Sequence, residues 1–244
     1  MLLFVVLPLI LVGYYALTDI NGQFTLRNFA KFFTHSEAIQ TFLYSVMIAV
    51  FNTLICLLIG YPAAYIMAME DFRTPKVMAM LFILPMWINF LLRTVATVEL
   101  FNMLGLPLGE GALLFGLCYD YLPFMIYPIF NTLQKMDTSL IEAAQDLGAN
   151  RWTCFWKVIV PLSLPGIYSG VVMVFMPTVS TFAIAELLTH NNIKLFGSLI
   201  QDYITTTDLL NYGAVLSLVL LVIIGVTSFF GDHDATDGEK GGLV

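Results

Sequence analysis

Apolar positions along the chain fall in six long runs, Leu2–Leu17, Thr41–Met69, Val77–Leu92, Ala112–Thr132, Val158–Leu188 and Tyr212–Phe230. A bilayer core takes about 20 apolar residues per helix, and about 17 at the short end. Lipid offers no partner to backbone N–H and C=O groups, so each run that enters it is predicted to be helical. The pattern predicts an all-α membrane protein of six spans. The first and third runs are the shortest, and the third can extend past Arg93 towards Leu100. The first is read as a retained helix rather than a cleaved signal. No basic residue precedes Leu2, and GYYALTDI lacks a small-x-small cleavage site. No polar segment exceeds about 25 residues, whereas a soluble domain needs about 50. One transmembrane domain, residues 1–230, is expected, followed by an acidic cytosolic tail, residues 231–244.

Composition agrees, with 59% apolar and only 11% charged residues, against about 25% charged in an average soluble domain. The net charge of −7 owes much to the tail. Its stretch DHDATDGEK approaches a calcium loop, but Asp237 stands where that loop needs glycine and the closing glutamate is missing. Cys56, Cys118 and Cys154 show no metal or disulfide spacing. His35, His190 and His233 all lie outside the runs, so no intramembrane nucleophile–base or metal set is visible. An enzyme is not indicated, nor is a nucleic-acid partner.

Lys and Arg in the short loops set orientation. With the N-terminus inside, Arg73, Lys76, Lys135, Arg151, Lys157 and Lys240 are cytosolic, while Arg27, Lys31 and Lys194 are outside. That majority predicts both termini in the cytosol.

The loop of about residues 133–157 carries the most specific signal, QKMDTSLIEAAQDLGANRWTCFWKVIVPLSLPG from Gln134 onward. Asp137 or Ser139 can cap a short helix, and Ser139 with Glu142 has capping-box spacing. Leu140, Ala143, Ala144 and Leu147 then share one helical face. Gly148 is placed to end the helix in a left-handed cap. A second amphipathic stretch carries Trp152, Phe155 and Trp156, and Pro161 and Pro165 follow at the start of span five. A helix–glycine–helix hairpin with a small-residue surface left to dock a partner is expected.

Glu142-Ala143-Ala144, then three residues, Gly148, nine residues and Val158-Ile159-Val160-Pro161 resemble the EAA signature of ABC importer permeases. Val158 and Val160 replace the usual isoleucine and leucine. The resemblance runs from about Phe24 to Phe230, through FTLRNFAKFF, LPMWINFLLRT, YDYLPFMIYPIFNTLQKMDTSLIEAAQDLGA and LPGIYSGVVMVFMP, and is similar to PotB-type spermidine/putrescine permeases. Permeases for iron, thiamine and opines share much of the pattern. The short outer loop Phe101–Gly111, AELLTH at Ala185–His190 and the acidic tail depart from it. The resemblance implies a type I importer fold in the bacterial plasma membrane, with a coupling helix held in a groove of a separate ATP-binding subunit. Glu142, Ala143, Ala144, Leu147, Gly148 and Ala149 are the residues it implies for that contact. It further implies a second, related permease as heterodimer partner and an extracytoplasmic binding protein. ATP and Mg are expected on the partner subunit only, since this chain has no GxxxxGK[ST] loop. An ion-coupled secondary transporter is the competing class, but it usually shows internal repeats, and none is visible.

A polyamine path needs carboxylates at intervals with aromatic faces between them. Asp120, about eight residues into the fourth run, lies about 12 Å deep at 1.5 Å per residue. Glu99 and Glu186 fall near the outer ends of the third and fifth runs, with Tyr119, Trp87 and Phe182 at nearby levels. Arg93 is an alternative partner for Glu99 or Asp120, which would make that carboxylate structural. The orientation has its own test. In intact cells, cysteines placed in the Asp137–Lys157 loop should be protected from impermeant reagents and those in Asn191–Asp208 labelled; the reverse pattern would overturn it.

Overall fold

The computed structural model describes residues 2–19, 22–34, 36–69, 81–82, 84–206 and 209–240, with residues 2, 3, 5 and 226–240 as backbone only. Among them the regular secondary structure is all helix, apart from an isolated antiparallel bridge between Thr18 and Phe24. The helices are α1 (Leu2–Ala16), α2 (Arg27–Thr34), α3 (Ser36–Met69), α4 (Phe90–Met103), α5 (Glu110–Gln134) and α6 (Ser139–Asp146). After them come α7 (Arg151–Ser180), α8 (Ala183–Leu188), α9 (Phe196–Thr205) and α10 (Leu210–Lys240).

Three described helices, α3, α5 and α7, are long and apolar enough to cross a membrane. The first and last runs supply shorter apolar helical stretches, Val6–Ala16 and Leu210–Gly225. The last helix does not stop at Phe230 but continues to Lys240. Arg73 and Lys76, and residues 77–80 and 83 of the third run, lie outside the described residues.

Two runs read as continuous are divided. In the third, a 3-10 turn at Leu84–Trp87 precedes α4. Pro85 has no N–H to give a helix, and the Asn89 side chain accepts the Leu91 N–H at 2.8 Å, starting α4 afresh. In the fifth, α7 ends at Ser180, whose hydroxyl donates back to the Met176 carbonyl at 3.1 Å, before α8 begins at Ala183. At its other end α7 starts earlier than expected. Arg151 leads directly into the span, through a π-helical segment at Phe155–Ile159. Pro161 explains the widening. Its ring would clash with the Lys157 carbonyl and it offers that carbonyl no N–H, so the turn opens instead of breaking.

The chain forms two compact units. In the first (residues 1–50, 94–116 and 176–227), α9 is pinned by its own first residue. The Phe196 N–H donates to the Ser45 hydroxyl at 2.7 Å, and the Phe196 ring meets Phe42 edge-on at 5.2 Å. A Cβ on Gly197 would collide with the Ser180 carbonyl, so only glycine lets α9 approach so closely. Asn211 ties down the end of α1, donating to the carbonyls of Tyr15 and Thr18 at 2.9 and 2.7 Å.

The second unit (residues 51–93, 117–175 and 228–244) is built around Met125, fully buried on α5. Gly60 of α3 and Gly170 of α7 leave room for its side chain: a Cβ would stand 3.0 Å from Met125 Cγ and 2.7 Å from Met125 Sδ, respectively. Four residues before Gly170, a Cβ on Gly166 would lie 2.9 Å from the Pro128 carbonyl oxygen. Gly166 and Gly170 thus form the small-xxx-small stripe by which membrane helices approach closely. Tyr61 and Ser163 join their hydroxyls at 3.0 Å across α3 and α7. Gly166→Leu overpacks this contact and should lower stability by about 1–3 kcal/mol, read as a lower thermal midpoint of the purified protein in detergent. Gly111→Ala, where a Cβ meets nothing within 4 Å, should leave the midpoint in place. Equal midpoints for both variants would contradict the close-approach account.

Candidate functional site

The loop after α5 folds as a helix–glycine–helix unit inside the second unit. Asp137 starts α6. Its Oδ1 accepts the Ser139 N–H at 2.9 Å, which holds the carboxyl below the usual carboxylate range. Ser139 is therefore the first helical residue, and no capping box forms with Glu142. The end of α6 is a complete Schellman motif: the Gly148 N–H donates to the Gln145 carbonyl at 2.8 Å, and the Ala149 N–H to the Ala144 carbonyl at 3.0 Å. Gly148 adopts φ +85°, where a side chain would be strained although nothing stands within 4 Å of its place. Half-buried Ala144 and Ala149 are the C3 and C″ residues whose contact accompanies this motif. Asn150 then caps α7, its Oδ1 accepting from the Thr153 N–H at 2.8 Å. Asn150 was legible as a residue type favoured at helix starts, but it lay in the shadow of the neighbouring motif.

This geometry leaves one face of α6 uncovered. Glu142 and Ala143 are exposed, Leu140 is 47% exposed and Leu147 90%. Ile141, on the opposite side, packs against the core of the unit. A fully exposed leucine beside small residues, on a helix held rigidly at both ends, is a surface suited to an apolar groove of another protein.

The candidate path residues are distributed over both units. In the second, Asp120 is buried and Arg93 Nε stands 3.2 Å from its Oδ1, with side chains 2% and 6% exposed. The guanidinium also lies 5.8 Å from the centre of the half-exposed Tyr119 ring, in cation–π range. Of the two carboxylates open to Arg93 in the sequence, it is Asp120 that takes the structural role. Trp87 is 86% exposed at the end of its 3-10 turn. In the first unit Glu99 is exposed, Glu186 is half-buried in the first turn of α8, and Phe182 precedes it at 39% exposure.

Breaking a buried ion pair from one side leaves an uncompensated charge and costs about 3–5 kcal/mol. Asp120→Asn should therefore give poor yield of folded protein, and adding Arg93→Gln should restore it. The yield is read by size-exclusion chromatography. A single variant as well folded as the parent would contradict the structural pairing.

Residues 57–237 match the family described as "Binding-protein-dependent transport system inner membrane component". The spermidine/putrescine transport system permease protein PotB of Haemophilus influenzae is 32% identical over 222 residues, covering 84% of this chain and 77% of that protein. PotC of the same kind of system in Escherichia coli K12 is 28% identical over 226 residues, covering 91% and 85%. A solved bacterial alginate ABC transporter, in complex with an alginate pentasaccharide-bound periplasmic protein, contains a chain of the same fold. Its TM-score is 0.74 at 15% identity, over 95% of this chain and 88% of that one. With the EAA loop, the all-helical fold and a match over most of its length, the chain belongs to the binding-protein-dependent transport system inner membrane components, as a multi-pass permease subunit of an ABC importer.

Proposed function

We propose that the chain is one of two related permeases in an ATP-driven polyamine importer, with spermidine or putrescine as cargo. The observation that carries the coupling half of this reading is the uncovered α6 face around Leu147, closed by the Gly148 cap. Leu147, Ala143 and Glu142 meet the ATP-binding subunit, which holds ATP and Mg, so that closure of that subunit moves α6 and the helix pair behind it. PotB and PotC both name spermidine/putrescine permeases and both match this chain, which supports the cargo and a heterodimer of two such chains. A periplasmic binding protein delivers the cargo, and both termini face the cytosol.

Along the path, a cation with apolar segments calls for spaced carboxylates and aromatic faces. Glu186, Glu99, Phe182, Trp87 and Tyr119 fit that requirement by their exposure. Asp120 contributes chiefly by neutralising Arg93, and would meet cargo only if that pair opened.

The test is uptake of radiolabelled spermidine by the complex reconstituted with its ATPase, second permease and binding protein. Spermidine should accumulate with ATP, and preference for a neutral or anionic solute would reject the cargo. Gly148→Val forces a β-branched side chain into a left-handed conformation. It should abolish uptake and cargo-stimulated ATP hydrolysis while the permease stays membrane-inserted. Normal stimulated hydrolysis in this variant would sink the coupling role.

A further inference from the structure

Three cysteines occur in the chain, and the fold brings two of them together. Cys56 on α3 is fully buried, Cys118 on α5 is half-buried, and both belong to the second unit. Their sulfurs lie 3.8 Å apart, in van der Waals contact, although the residues are 62 positions apart in sequence. The Cys56 thiol also points towards the Cys118 carbonyl at 4.0 Å. A disulfide has a sulfur–sulfur distance of about 2.05 Å, so the gap to close is under about 2 Å. Side-chain rotation and small helix shifts cover such a distance. Cys154 is buried elsewhere, its thiol 3.9 Å from the Ala149 carbonyl, and supplies an internal control.

We propose that Cys56 and Cys118 form a reversible oxidative modification site that ties α3 to α5. The half-buried Cys118 meets a membrane-permeant two-electron oxidant first. With an azodicarbonyl such as diamide, the Cys118 sulfur adds to one nitrogen of the N=N bond and the other nitrogen gains a proton. The Cys56 sulfur then attacks Cys118, the sulfur–nitrogen bond breaks, and the leaving nitrogen takes the second proton. Two thiols lose two electrons and two protons, one disulfide forms, and the azo compound leaves as its hydrazine. A membrane-soluble quinone satisfies the same balance, leaving as the hydroquinone. The tie removes sliding between two packed helices, so a transport cycle that moves one past the other stops until a thiol reductant reopens it.

The chemical test uses the complete importer in native membranes, treated with diamide, denatured, and tagged with a maleimide polymer that counts free thiols. The oxidised chain should carry one taggable cysteine instead of three, with peptide mapping to a Cys56–Cys118 bond and recovery of all three after dithiothreitol. Cys118→Ser should keep both remaining thiols through the same treatment. Three taggable cysteines after oxidation, or a bond to Cys154 or to another chain, would overturn the site. Diamide should also abolish uptake by the parent reversibly and leave uptake by Cys118→Ser intact. A mapped bond with undiminished uptake would overturn the tie as a brake. Because the brake rests on the importer reading, the two fail differently: no spermidine uptake before oxidation counts against the cargo, while the thiol count decides the cysteine pair.

Discussion

An unsatisfied peptide group in hydrocarbon costs several kcal/mol, and the architecture of this chain follows from avoiding that cost. Among the described residues the long apolar runs are chiefly helical, and the helices continue past the prolines inside them. At Pro161 the backbone widens into the π segment Phe155–Ile159 instead of breaking, so Arg151 and Ser180 belong to one continuous helix. Within the second unit the same helix closes on α5 through Gly166 and Gly170, and on α3 through the Tyr61–Ser163 hydroxyl pair. The Schellman closure at Gly148 and the Asn150 cap lock the short helix to α7, and Ile141 seats it on the core. α6 is therefore attached to a packed body.

What the sequence made legible is what local physics decides. Alternating runs of apolar and polar residues locate α3, α5 and α10, because bilayer thickness sets how many consecutive apolar residues a span needs. The loop of about residues 133–157 was readable almost residue by residue. Its start at Asp137, its glycine stop and its small-residue face all depend on neighbours fewer than six positions away. Two breaks fall inside runs read as continuous, and the first was locally signalled yet overruled. Pro85 and Asn89 marked a fresh helix start, but the surrounding hydropathy argued for continuity. The π segment ahead of Pro161 was not visible, since a proline near a helix start is usually accommodated at the first turn.

Apart from that π segment, the features that escaped the sequence pair distant positions. Arg93 had two carboxylates within reach of its helix, and only the packing of α4 against α5 selects Asp120. Cys56 and Cys118 carry no spacing signal, because their contact is made by two helices that meet around Met125. The glycines of α7 look like any other membrane-helix glycines until the carbonyls opposite them are known. For the path, the sequence named residues of the right chemistry, and burial then separates them. Asp120 is committed to an ion pair, while Glu99, Glu186, Phe182, Trp87 and Tyr119 keep surface to offer.

The proposed coupling role makes α6 the element through which a separate ATPase drives this permease. Site-directed cross-linking tests it most directly. A photoreactive residue at Leu147, 90% exposed, is placed in the assembled importer, with a second at Met103, 85% exposed, as comparison. An adduct is expected between the Leu147 position and the ATP-binding subunit, and none with that subunit from Met103. An assembled, active importer in which Leu147 labels only lipid or water while the ATPase is captured elsewhere would contradict it.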